Sequence, residues 1–159
     1  MGKPVAQVPV RCSMVSIVVL RGRGARTRML VLHRHSAYLD GVWSYVAGHV
    51  EAGETGAQAA RRELAEETGL VADTLHATSF CEQFYDAAHD CIQLVPAFVA
   101  RVGNAAEVRL NREHSAFRWV TLTRAARELP FGSQRDLIAH VQREFVLREP
   151  QPQLRLPPA

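Results

Sequence analysis

Cysteine is scarce: Cys12, Cys81 and Cys91 are the three in a chain of 159 residues. Their number is odd and no CxxC pair occurs, which argues against a disulfide framework or a zinc site and fits a reducing compartment. Long apolar runs are lacking too. Met1 to Ser13 contains no apolar core of a secretory signal, and the run Met14–Leu20 is broken by Ser16 and too short to span a bilayer. There is no internal repeat and no run of Lys or Arg. Lys plus Arg exceed Asp plus Glu only by 19 to 16, a formal charge of +3. That excess is compatible with small anionic substrates and gives nucleic-acid binding little support. Hydrophobic residues are 47% and charged residues 22% of the chain, the balance of an ordinary globular protein. The expectation is one soluble, cytoplasmic domain with no membrane partner.

Strands and helices alternate irregularly along it. Ser13–Leu20 and Met29–Arg34 read as strands joined by the turn-forming Arg21–Thr27, and Val42–Ala47 as a short third strand after the Asp40-Gly41 turn. Thr55 is an N-cap candidate, Gly69 a left-handed C-terminal stop, and Ala57, Ala60 and Leu64 form the inward stripe of the helix between them. Leu75–Phe84 and Cys91–Arg101 form a hairpin, Phe117–Val120 another strand, Thr121–Leu129 a helical turn or short helix. Ser133–Leu147 reads as an amphipathic helix with Ile138, Val141 and Phe145 inward. The first ten residues and the Pro-rich tail Glu149–Ala159 read as irregular. This order predicts an α/β fold, a mixed sheet with helices packed on it.

What stands out is GHVEAGETGAQAARRELAEETGL, Gly48 to Leu70. It holds Glu51, Glu54, Glu63, Glu66 and Glu67 in a chain of net positive charge. On a helix, Glu63, Glu66 and Glu67 share one face, where like charges repel by a few tenths of a kcal/mol per pair. Arg62 relieves one contact, with Glu66 at i+4. A divalent cation converts the remaining repulsion into binding, because hard cations take carboxylate oxygens. Mg²⁺ in particular combines a few carboxylates with substrate phosphates.

The spacing is Gly48, five residues, Glu54, seven residues, Arg62-Glu63-Leu64, one residue, Glu66-Glu67, one residue, Gly69-Leu70. It resembles the Nudix hydrolase signature from end to end. A chance match at a given start is below roughly one in a hundred million. Many family members carry a further glycine where this chain has Ala47, outside the signature. The resemblance implies an α/β/α sandwich with a mixed β-sheet over residues 11–148, between a loose segment 1–10 and the tail 149–159. It implies Mg²⁺ or Mn²⁺ bound by Glu63, Glu66 and Glu67 with the Gly48 carbonyl, and a loop braced by Glu54 and Arg62. It also implies hydrolysis of a diphosphate linked to another group. Several relatives pair, which leaves a homodimer open.

Outside the box, Glu113 in LNREHSAFRWV resembles a segment of the bacterial dihydroneopterin triphosphate pyrophosphohydrolase branch, where the glutamate serves as metal ligand or base. FGSQRDLIAHV echoes that branch's last helix. Arg34 can hold a phosphate through its planar fork. Trp43, Phe84 and Tyr85 are candidate stacking surfaces, with core packing the leading reading for Phe84; Trp119 reads as core and His33, His35 and His49 as surface or packing residues. Tyr85 lies 15 residues past Leu70, near where ADP-ribose hydrolases carry proline and dinucleoside polyphosphate hydrolases tyrosine. The leading expectation is a metal-dependent pyrophosphohydrolase of a nucleoside or pterin triphosphate, releasing pyrophosphate. The alternatives are a dinucleoside polyphosphate or nucleotide-sugar hydrolase, and a non-catalytic nucleotide sensor.

Overall fold

Two strands in the middle of the sheet carry apolar residues on both faces, and this decides the architecture. In the computed structural model, which describes residues 5–159, the chain runs β1 (Val10–Arg11), β2 (Met14–Arg21), β3 (Arg28–Arg34), β4 (Trp43–Ser44), β5 (Val46–His49), α1 (Gly56–Thr68), β6 (Thr74–Asp86), β7 (Cys91–Arg101), β8 (His114–Val120), α2 (Leu122–Glu128) and α3 (Gly132–Val141). Side chains alternate across a strand, so β2 and β3 divide their residues between two cores. Val18, Leu20, Met29 and Val31 pack with α2 and α3 through Leu122, Ala125, Leu137, Ile138 and Val141. Ile17, Val19, Leu30 and Leu32 pack with α1 through Ala59, Ala60 and Leu64. Helices thus cover both faces of one mixed eight-stranded sheet. Each fully buried aliphatic side chain contributes about 1.5–3 kcal/mol, so this double burial is the main stabilising term. No helix of the described residues is long and apolar enough to cross a membrane.

The β2–β3 hairpin forms as the turn predicts, but it pairs only through Leu20–Met29 and Arg21–Arg28. Beyond that the strands part. β5 pairs with Met14–Ile17 of β2, and β8 takes Met29–Arg34 of β3. On its other edge β2 runs parallel to β7. The expected single strand Val42–Ala47 is accordingly two: β4 pairs with β3, β5 pairs with β2, and the chain crosses between them at Tyr45. In β6 the register shifts between Ala77 and Cys81, opposite Pro96–Phe98 of β7. Pro96 has no N–H for the ladder, and the Thr78 hydroxyl instead donates to the Ala97 carbonyl at 2.7 Å.

Two expectations about the C-terminal region change. The last helix ends at Val141 and widens into a π-helical turn, Gln142–Val146, which keeps Phe145 buried while its carbonyl accepts from Arg101 Nη2 at 2.6 Å. The tail is not wholly irregular. A 3₁₀ turn at Pro152–Leu154 leads to a bridge between Arg155 and His76, the Leu156 amide donates to the Leu75 carbonyl at 2.9 Å, and Arg61 Nη2 donates to the Pro157 carbonyl at 2.7 Å. At the other end, residues 5–9 are exposed and irregular, while Val10–Arg11 adds a parallel edge to β7; the expectation for residues 1–4 lies outside the described residues.

Candidate active site

Helix α1 begins and ends where its sequence directs. The Thr55 hydroxyl accepts from the Gln58 amide at 3.2 Å, and the Gln58 side chain accepts from the Thr55 amide at 2.8 Å. This reciprocal cap satisfies two otherwise unpaired donors. Gly69 closes the helix at φ 69°, a left-handed conformation that suits glycine. The stripe Ala60 and Leu64 is buried, which turns Glu63, Glu66 and Glu67 toward one edge of the helix.

Arg62 organises that edge. Its Nε donates to Glu54 Oε1 at 2.8 Å and its Nη2 to Glu54 Oε2 at 3.0 Å and to the His49 carbonyl at 2.8 Å. Its Nη1 donates to Glu63 at 2.8 Å and Glu66 at 3.1 Å. Glu54 also accepts from the Glu51 amide at 2.9 Å. The Arg62 fork and that amide hold the Glu54 carboxyl below the usual carboxylate range. One guanidinium therefore ties the loop before the helix to the helix itself. Gly48 lies against the same edge, and a Cβ there would fall on the Glu63 carboxylate. Glycine lets the strand come this close without displacing that carboxylate.

Glu67 is different. It is 3% exposed, and its Oε2 has no hydrogen-bond partner. Burial first, then the charges of Glu63 and Glu113, push its pKa up to about 8, against the opposing Arg34 and the Ala47 amide. Burial also raises Glu63. His114 Nε2 stands 3.8 Å from Glu67 Oε2 and is likewise buried without a partner. Its other ring nitrogen lies 3.2 Å from Asn111 Oδ1. Burial, then Arg34, lowers the His114 pKa and favours its neutral form. Among the described residues no three acidic or His/Cys side chains converge as a closed ligand set; Arg62 draws Glu63 and Glu66 to itself. Two acids, Glu63 and Glu67, whose pKa values are raised by burial and then by like charges, one of them with an oxygen lacking a partner, have the chemistry of a hard-cation site.

A groove of about 540 Å³ opens beside this edge, lined in part by Arg34, Tyr45, Ala47, Glu82, Phe84 and Tyr85. Arg34 and Ala47 belong to both places, since each acts on Glu67. Arg34 is steadied by its own bonds to the Tyr38 carbonyl at 3.2 Å and Ser36 Oγ at 3.0 Å. The structure brings Glu54, Arg62, Glu63, Glu66, Glu67, Glu113, Gly48 and Arg34 into one neighbourhood. Tyr85 is 55% exposed on the groove. Trp43 stands apart. It packs partly on the α2/α3 core, and the Arg118 guanidinium lies 4.1 Å above its ring, so a ligand could stack there only if Arg118 moved away. Phe84, expected in the core, is 40% exposed on the groove instead. Trp119 does pack partly on the α1 core, under Arg21.

Sequence reasoning missed His114 and the floor residues Glu82, Ser16 and Tyr45. A signal existed for one of them: Glu82 alternates with Phe80 and Phe84, a lone acid on an aromatic face of a strand.

Comparison with known proteins agrees with this geometry. The family model for the NUDIX domain matches residues 11–141. The chain is 40% identical over 131 residues to the octanoyltransferase of Myxococcus xanthus, covering 78% of this chain and 35% of that protein, so it spans about a third of that relative's length. It is 35% identical over 98 residues to the asymmetrical bis(5′-nucleosyl)-tetraphosphatase of Sus scrofa, covering 60% of this chain and 67% of that protein. The structure of the E. coli dihydroneopterin triphosphate pyrophosphohydrolase superposes with a TM-score of 0.64 at 28% identity, over 78% of this chain and 91% of that one. With its family match spanning the sheet, the glutamate-bearing helix and the groove, the chain belongs to the NUDIX family of hydrolases.

Proposed function

We propose that this chain is a divalent-cation-dependent pyrophosphohydrolase that converts a nucleoside or pterin triphosphate to the monophosphate and pyrophosphate. The observation that carries the reading is Glu67, a buried carboxylate with an unpartnered oxygen, next to Arg34 and Ala47 of a groove sized for one nucleoside. Glu63, Glu66, Glu67 and the Gly48 carbonyl would hold Mg²⁺ or Mn²⁺. When bound, the cation offsets phosphate charge and lowers the pKa of a bound water.

The chain's own residues do the rest. Arg62 and Glu54 fix the loop so that the acidic edge keeps its shape. Arg34, at the junction of groove and helix, takes a phosphate oxygen through its fork. Glu113 is exposed beside Glu63 and Glu67 and accepts the proton of the attacking water. Tyr85 flanks the ring at the groove's rim. The water oxygen bonds to phosphorus, the α–β anhydride P–O bond breaks, and pyrophosphate leaves with that bond's electron pair. The three unpaired cysteines fit a reducing, cytoplasmic setting.

A second reading, cleavage of a dinucleoside polyphosphate, draws on the likeness to the Sus scrofa enzyme and on Tyr85. A panel of nucleoside triphosphates, dihydroneopterin triphosphate and dinucleoside tetraphosphates, assayed with Mg²⁺ and Mn²⁺ and with products resolved, tests both. Pyrophosphate with a monophosphate is the expected outcome. A nucleoside triphosphate formed from a dinucleoside substrate, with triphosphates untouched, establishes the second reading; binding without turnover marks a sensor.

A further inference from the structure

The groove floor holds a second buried carboxylate that the hydrolytic reading does not use. Glu82 is 5% exposed in the middle of β6 and lines the groove. Its Oε1 accepts from Ser16 Oγ and from Tyr45 Oη, each at 2.7 Å, which engages both lone pairs of that oxygen. Oε2 has only a long contact, 3.5 Å, with Ser133 Oγ. Ser16 comes from β2 and Tyr45 from the crossing between β4 and β5, and both are themselves buried. A residue of β2 and one of the β4–β5 crossing thus clamp one oxygen and leave the other with a single long contact. Burial first, then Glu82 itself, raise the Tyr45 pKa well above 10, so Tyr45 stays a donor.

One oxygen of this buried carboxylate is therefore short of partners where Glu82 lines the groove, and donors on a ligand would supply them. The surroundings suit a flat ring. Phe84, two residues along the same face of β6, is 40% exposed, and Phe131, before α3, is 44% exposed. Both line the groove and offer aromatic faces beside an acceptor.

We propose that Glu82 reads the substrate's ring, and that the ring carries the 2-amino-4-oxo-pyrimidine edge common to guanine and the pterins. That edge presents a ring N–H beside an amino group, two donors to an acceptor-only oxygen. Adenine and cytosine put a ring-nitrogen lone pair next to their amino group. Uracil flanks its N–H with two carbonyl oxygens. Each of these turns lone pairs toward the carboxylate. The inference rests on the proposal that the groove takes a ring-bearing polyphosphate, and it adds which ring.

Two measurements on the full chain test it. The first is kcat/KM with Mg²⁺ for GTP, dihydroneopterin triphosphate, ATP and UTP. The second is calorimetric binding of guanosine, neopterin and adenosine, which needs no turnover. Rings with the two-donor edge should win by about tenfold to a hundredfold, the range of a charge-assisted hydrogen bond gained against a lone-pair clash. The better of guanine and pterin identifies the source of the edge. In Glu82→Gln, Ser16 and Tyr45 keep the amide oxygen and turn its NH₂ into the groove, so the preference should fall to parity or reverse toward adenine, mainly through KM. Equal treatment of all rings by the wild type overturns the proposal without any variant. So does a preference that Glu82→Gln leaves intact while circular dichroism shows it folded. Ring preference in binding without hydrolysis leaves this inference standing and removes the proposed activity; hydrolysis without ring preference does the opposite.

Discussion

Glu67 and Glu82 are equally buried, 3% and 5% exposed, yet they are solvated in opposite ways. Glu82 has two hydroxyl donors on one oxygen, from β2 and from the crossing between β4 and β5. Glu67 has neighbours of its own sign, Glu63 and Glu113, and an oxygen with no partner. Hydroxyls satisfy a carboxylate with partial charges and leave it an acceptor for neutral N–H groups. Like charges and burial leave it short of a full positive charge. The difference teaches that burial alone does not assign a buried acid. Its partners determine whether it suits a cation or a ring.

The largest expected effect separates the two sites by charge. Glu67→Gln removes a carboxylate from the acidic edge while keeping its shape, and turnover should fall at least about a hundredfold. The metal-free fold should hold or gain, because a raised-pKa acid is replaced by a neutral amide. Near-wild-type turnover at saturating Mg²⁺ would show that Glu67 is no part of the site.

The second effect is in pH. The Glu67 pKa of about 8 in the folded, metal-free chain lies above its ordinary 4.5, so folding favours the protonated form. Its contribution to stability is therefore complete below about pH 4.5 and lost as pH rises through about 8. A cation needs the ionised form, so its affinity should rise about tenfold per pH unit up to that value and then level off. Melting curves of metal-free protein across this window, repeated with Mn²⁺, check both slopes: without metal the midpoint falls with pH, and the gain from metal grows. A flat Mn²⁺ affinity across the window would mean that Glu67 is already ionised.

The third effect is steric. In Gly48→Ala the new Cβ meets the flexible end of Glu63 and displaces that carboxylate rather than the backbone. Cation affinity, measured by Mn²⁺ titration, should drop about tenfold, in the range of lost support to a metal ligand, with a small change in melting temperature. Unchanged affinity would take Glu63 out of the cation site.

The acidic half of this contrast was legible in the sequence and the hydroxyl-lined half was not. Thr55, Gly69 and the inward stripe of Ala60 and Leu64 fix α1 by local rules, and one turn of helix then sets the spacing of Glu63, Glu66 and Glu67. The surroundings of Glu82 depend on residues 66 and 37 positions away, Ser16 and Tyr45, which only strand pairing brings together. The break of Val42–Ala47 at Tyr45 has the same origin. Each half follows a different partner strand, and periodicity along one segment carries no record of its neighbours. For Phe84 the leading reading, core, gives way to the alternative of a stacking surface: an apolar residue in a strand reads as core, while here that face of β6 opens on a groove. The tail reads as irregular from its prolines, yet a 3₁₀ turn forms in it and a backbone hydrogen bond to β6 holds it.

The smallest effect isolates the hydroxyl-lined carboxylate. Tyr45→Phe keeps the ring in the α2/α3 core and deletes one of the two donors to Glu82 Oε1. Ser16 remains, so the loss should be about 1–2 kcal/mol, seen as a melting temperature lower by roughly 2–8 °C for a chain of this size. Glu82 is then less firmly aimed, and preference among ring substrates should narrow through KM with kcat unchanged. Cation affinity should not move, because Tyr45 touches Glu82 and not the acidic edge of α1. If Mn²⁺ affinity falls alongside stability in this variant, the two buried acids are coupled through Ala47 and form one site. If it holds while ring preference narrows, a cation end and a ring end are separable on one sheet, each built from a carboxylate and distinguished by what surrounds it.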